Sequence, residues 1–136
     1  MRRAALALAL LALAAPVGPP VGAQEWVPRR VAEIQALDKV TARVSVVRAT
    51  LGEPLRYGTL TILVRACQAR PADEVPDAAV WMEITESRVP GTAPQAGQPA
   101  VAPASAPVFR GWMFAENPAL NMLEHPVYDL RVLACR

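Results

Sequence analysis

"FRGWMFAENPALNMLEHPVYDLRVLAC", residues 109–135, decides how the fold is read. The stretch crowds large apolar residues around a Pro-bounded turn, holds the only histidine, and ends in a cysteine one residue from the C-terminus. Val108–Ala115 has strand character. Trp112, Met113 and Phe114 are consecutive there, so a pleated strand must send Met113 to one face and Trp112 and Phe114 to the other. Val127–Cys135 alternates again, with Val127, Asp129, Arg131 and Leu133 set against Tyr128, Leu130, Val132 and Ala134. Between them, Asn117–His125 has a different texture. Asn117 can cap a helix, Pro118 suits its first turn, and Leu120 and Leu123 follow at helical spacing, which predicts one short helix ended by Pro126.

Working outward from this stretch, the same period of two recurs. Ala78–Glu86 opposes Val80, Met82 and Ile84 to Trp81, Glu83 and Thr85. Thr59–Cys67 places Leu60, Ile62 and Val64 on one face, with Leu63 on the other. Thr41–Ala49 puts Ala42, Val44 and Val46 on its apolar side and Thr41, Arg43 and Ser45 on its polar side. Val31–Asp38 fits either a strand or a helical turn. Leu51–Gly58, with two glycines and a proline, reads as a connecting loop, as does the acidic, Pro-broken Gln68–Asp77. Val89–Pro107 has frequent prolines, small residues and no charge. It lacks an apolar period and reads as a disordered or polyproline-like loop of about 19 residues. The chain is expected to be all-β: a small antiparallel sandwich or barrel with one short helix near the C-terminus.

The N-terminus reads as a targeting segment. Arg2 and Arg3 precede an apolar run from Ala4 to Ala15, and a small-residue exit follows at Val21–Ala23. That is the layout of a signal peptide, with residues 1–23 removed. The run is too short for a permanent span, which needs about 20 residues. The remainder, residues 24–136, would be about 113 residues, one small domain. Without Arg2 and Arg3 the basic and acidic residues balance. A near-neutral domain lacks the electrostatic footprint of a nucleic-acid binder.

Cys67 and Cys135 are the only cysteines. In an exported chain an isolated pair points to a disulfide. Such a bridge closes a loop of about 70 residues and contributes about 4 kcal/mol on the chain-entropy model. The alternatives are metal ligation, which needs more ligands than one His and two distant Cys supply, and a redox pair, which usually has C-x-x-C spacing.

Sites of chemistry are weakly marked. His125, with Glu116, Glu124 or Asp129 nearby, could serve a general base or a metal; the plainer reading is a turn residue bonded to backbone. Ser45, Ser87 and Ser105 have no nucleophile-elbow context. No phosphate-cradling glycine motif is present. No catalytic residue, metal or cofactor is assigned. The Trp112-Met113-Phe114 run, together with His125 and Tyr128, is the candidate interaction surface, since three large side chains in succession cannot all enter one core face.

With these residues laid out, the chain resembles an uncharacterised family of small exported alphaproteobacterial proteins, domain of unknown function 2155 (DUF2155). The resemblance is carried by Ala36–Val44 (ALDKVTARV), Tyr57–Cys67 (YGTLTILVRAC), Ala79–Glu86 (AVWMEITE) and the Phe109–Cys135 stretch, and the long Val89–Pro107 insertion departs from it. It implies export and a shared domain, and carries no catalytic residues. The expectation is a soluble periplasmic, disulfide-locked β domain acting as a non-enzymatic binding or cell-envelope assembly module with an envelope protein as partner. The alternative is a small hydrolase or ligand-binding protein with a pocket near His125.

Overall fold

The computed structural model describes residues 25–87 and 105–136. The expected signal peptide and nearly all of the Pro-rich stretch lie outside these residues. The exception is Ser105–Pro107, expected in the loop, which already belongs to a strand.

Among the described residues nine strands form two antiparallel sheets: β1 (Val27–Pro28), β2 (Val31–Asp38), β3 (Arg43–Thr50), β4 (Pro54–Tyr57), β5 (Leu60–Ala69), β6 (Ala78–Ser87), β7 (Ser105–Phe114), β8 (Leu123–Glu124) and β9 (Tyr128–Cys135). The first sheet runs β1-β5-β6-β7, with β4 pairing the other half of β5; the second runs β3-β2-β9-β8. The architecture is a sandwich. Leu51–Gly58, expected as a loop, contains β4, which pairs Pro54 through Tyr57 with Leu63 through Leu60. Pro54 is tolerated because it opens a short edge strand, where the missing N–H costs no ladder bond.

The expected helix is absent. Pro118–Leu120 makes a single 3-10 turn, and Asn117 makes no side-chain capping bond. Leu120 is 70% exposed. Leu123, expected on the helix, instead sits in β8 opposite Leu130 and is buried. A turn this short has no apolar face to bury, so pairing with β9 wins over helical spacing.

The core lies between the sheets. Ala32, Ile34 and Ala36 of β2 and Leu130 and Val132 of β9 oppose Leu60, Ile62 and Val64 of β5, Val80, Met82 and Ile84 of β6, and Met113 of β7. The alternation expected for β5 and β6 is the alternation found. In β3 it is inverted: Ser45, Val47 and Ala49 lie on the inner side, and Val44 and Val46 are 55% and 56% exposed. The hydroxyl of Ser45 bonds that of Tyr57, so an inward serine has its partner.

Of three register shifts in the ladders, two turn a cysteine inward. Val64 pairs with Met82 but Ala66 with Trp81, leaving Arg65 as an extra residue in β5. Ile34 pairs with Val132 but Glu33 with Ala134, leaving Leu133 extra in β9. Strict alternation would turn Cys67 away from Leu60, Ile62 and Val64, and Cys135 away from Leu130 and Val132. One extra residue in each strand reverses the phase. Both cysteines therefore point inward, and their sulfurs lie at disulfide-bonding distance, 1.98 Å apart.

Candidate interaction site

The two ends of the sandwich are closed differently. At one end Cys67 of β5 and Cys135 of β9 join the sheets. Beside them the Arg70 guanidinium stacks 4.2 Å over the Trp26 ring. At the other end a polar and aromatic cluster fills the gap. Gly58, with φ +57°, turns the chain from β4 into β5 in a conformation that costs other residues about 1–2 kcal/mol. A side chain there would also place its Cβ 2.6 Å from Cζ of Tyr128 and nearer still to the hydroxyl. The Tyr128 ring meets Tyr57 edge-on, centroids 5.4 Å apart, and stacks on His125 at 5.6 Å.

His125 is 8% exposed, and both of its nitrogens are engaged. The Val127 backbone N–H donates to Nδ1 at 3.1 Å. Nδ1 is therefore the acceptor, and Nε2 lies 3.1 Å from Glu86 Oε1. Thr59 Oγ1 donates to the same carboxylate oxygen at 3.2 Å. The His125 N–H bonds the Tyr128 carbonyl at 3.1 Å and closes the turn. Sequence reading found His125 and its turn role; its partner Glu86, 39 positions upstream, carried no local signal. Glu116, Glu124 and Asp129 do not meet the imidazole: Asp129 pairs with Lys39 at 2.8 Å instead. Among the described residues no group of three or more His, Cys, Asp and Glu could hold a metal ion.

The five residues expected to share one surface are split. Met113 is 1% exposed and belongs to the core. His125 and Tyr128 belong to the end cluster. Trp112 and Phe114 lie on the outer face of the first sheet, where Trp112 is 37% exposed. There Trp112 is the direct cross-strand partner of Trp81, and Phe114 that of Ala79. Glu83 links two cations on this face, Arg65 at 3.2 Å and Arg110 at 3.4 Å, and Arg110 reaches over the Trp81 ring at 5.4 Å. Exposed Arg56 sits one strand further along, opposite Thr61. The outer face of the first sheet is thus an aromatic strip beside a cationic row.

On the second sheet Glu33 receives Arg48 at 3.2 Å and Arg136 at 3.0 Å. The hydrogen bond from Arg136 is the main reason its carboxyl is held below the usual glutamate range, with Arg48 adding to it. Asp38 is lowered chiefly by the backbone N–H of Thr41, with Val40 contributing the other turn bond, at 3.1 and 2.9 Å. It caps the turn between β2 and β3, in which Ala42 takes φ +53°.

The fold and site define a small, cysteine-clasped β-sandwich with an aromatic outer face and a buried histidine held by its turn and by Glu86. Residues 32–135 match the profile of the family described as "Uncharacterized protein conserved in bacteria (DUF2155)", and the chain belongs to that family. It is also similar to "Uncharacterized protein RP359" of Rickettsia prowazekii (strain Madrid E), 26% identical over 103 residues that cover 76% of this chain and 59% of the relative. The chain thus spans less than two thirds of that relative's length. No solved structure matches it.

Proposed function

We propose that the protein is a periplasmic, non-enzymatic binding or envelope-assembly module that docks an envelope protein through the outer face of its first sheet. The observation that carries this reading is the division of Trp112-Met113-Phe114. Met113 anchors the strand in the core, and Trp112 and Phe114 are left outside beside Trp81. Aromatic and arginine side chains are the types that dominate binding energy at interfaces. The three-part N-terminal segment supports export, and the clasped cysteines suit an oxidising compartment.

The hydrolase reading draws on the His125–Glu86 pair. A general base needs a free nitrogen within reach of its substrate. The Nδ1 lone pair accepts the Val127 N–H and Nε2 lies against Glu86, so the ring is spent on the turn. The test is crosslinking in intact cells followed by purification of the adduct. Trp112→Glu should abolish the adduct with secondary structure unchanged, while His125→Asn should retain it. Capture unaffected by Trp112→Glu would remove this face from the reading, and a hydrolytic activity lost on His125→Asn in a folded protein would replace it.

A further inference from the structure

The apolar alternation of β3 faces the wrong way for a monomer. Val44 and Val46 point outward while Ser45 faces the core. β3 is also an edge strand, since the second sheet runs β3-β2-β9-β8. Exposed edges offer unpaired N–H and C=O groups, and proteins blunt them with prolines, bulges, short strands or covering segments. Among the described residues the other edges carry such devices. β1 and β8 are two residues long. β4 has four residues and begins with Pro54. β7 contains Pro107 and a register shift, and the Asn121 side chain donates to its Trp112 carbonyl at 2.7 Å. β3 carries two exposed arginines, Arg43 and Arg48, but none of these devices. Its pairing with β2 runs without a break from Thr50 to Arg43, it contains no proline, and among the described residues no other backbone hydrogen bond reaches Arg43–Ala49.

We infer that the free edge of β3 is an interface for a second copy of this chain, the two β3 strands pairing antiparallel about a two-fold axis at Val46. A two-fold that keeps inner residues beside inner residues pairs positions of like parity. Centred on Val46, it sets Val46 against Val46, Val44 against Arg48, Ser45 against Val47 and Arg43 against Ala49. No two like charges stand opposite. The Arg48 charge is already met by Glu33, so its aliphatic stem is left to cover Val44. Face-to-face stacking of the second sheets fits worse. Its outer centre holds Glu33 with Arg48 and Arg136, and Gln35 bonded to Arg131, all of which would lose water. Edge pairing leaves those groups solvated and completes one continuous sheet across both copies. The site is separate from the Trp112 face, so each can stand without the other.

The protein purified from the cells that make it should sediment at twice the chain mass at micromolar concentration. Val46→Arg, at a solvent-facing position, should bring it to the monomer mass with its melting temperature unchanged. Val46→Cys should crosslink to its own copy under mild oxidation, because the paired positions lie about 5 Å apart. Val44→Cys should not, because its copies would be separated by about 14 Å. A parent that is monomeric at every soluble concentration would overturn the inference. So would a dimer that survives Val46→Arg, or a Val46→Cys protein that crosslinks only to a different chain.

Discussion

The two ends of the sandwich solve one problem by different chemistry. Each must hold two sheets together where the core thins out. The Cys67–Cys135 end does so with one covalent link between β5 and β9. The Tyr57–Tyr128–His125–Glu86 end does so with ring contacts and hydrogen bonds contributed by β4, β6, β9 and the turn before β9. The difference lies in what each end depends on. The covalent end depends on two bulges and on an oxidising environment. The non-covalent end depends on a glycine that lets Tyr128 close over the turn, and on a histidine held between the Val127 N–H and Glu86.

Removing the covalent clasp tests the contrast most severely. The cysteines are 68 positions apart, and opening that loop should cost about 4 kcal/mol. Denaturant unfolding of Cys135→Ser against the oxidised parent measures it; equal midpoints would show that the clasp is dispensable. Next is Gly58→Ala. The left-handed backbone and the collision with Tyr128 together should cost about 3 kcal/mol. Adding Tyr128→Phe should recover only a small part, because the backbone conformation and the ring carbon remain in the way.

His125→Ala should cost about 2 kcal/mol, since it leaves the Val127 N–H without its acceptor, removes the ring stacked on Tyr128, and leaves Glu86 only Thr59. That loss should be seen in the melting temperature and in faster hydrogen exchange at Val127, with partner capture retained. Trp112→Ala should change stability by less than about 1 kcal/mol, as an outer-face substitution, while weakening capture. A large stability loss with capture intact would make Trp112 structural. The smallest effect concerns pH. Glu33 is lowered by Arg136 and Arg48, so its contribution is present above the ordinary glutamate range and is lost as pH falls through the folded-state value. Below about pH 4 the parent should lose stability more steeply than Glu33→Gln.

Legibility followed where each strand sits. β5 and β6 are central, and each shows a dominant inner face, so Leu60, Ile62, Val64, Val80, Met82 and Ile84 could be assigned to the core from alternation alone. β3 is an edge strand, and its apolar side faces out. The pattern marks which residues share a face, but burial is decided by which face meets the other sheet. β4 was hidden by Pro54 and Gly58, residues that break a central strand and suit a short edge one. The helix expected after Asn117 was a local reading that long-range pairing of Leu123 with Leu130 displaced.

From the sequence alone come the all-β class, the strands with a period of two, and the separation of Met113 from Trp112 and Phe114. These rest on neighbours in the chain and on pleat geometry. Tertiary structure decided the rest. By parity Cys67 and Cys135 belong outside, and only the extra residues Arg65 and Leu133 turn them in to meet. His125 gains Glu86 only because the two sheets close over one another. Bulges and inter-sheet contacts depend on the partner strand, and a single strand's alternation carries no record of it.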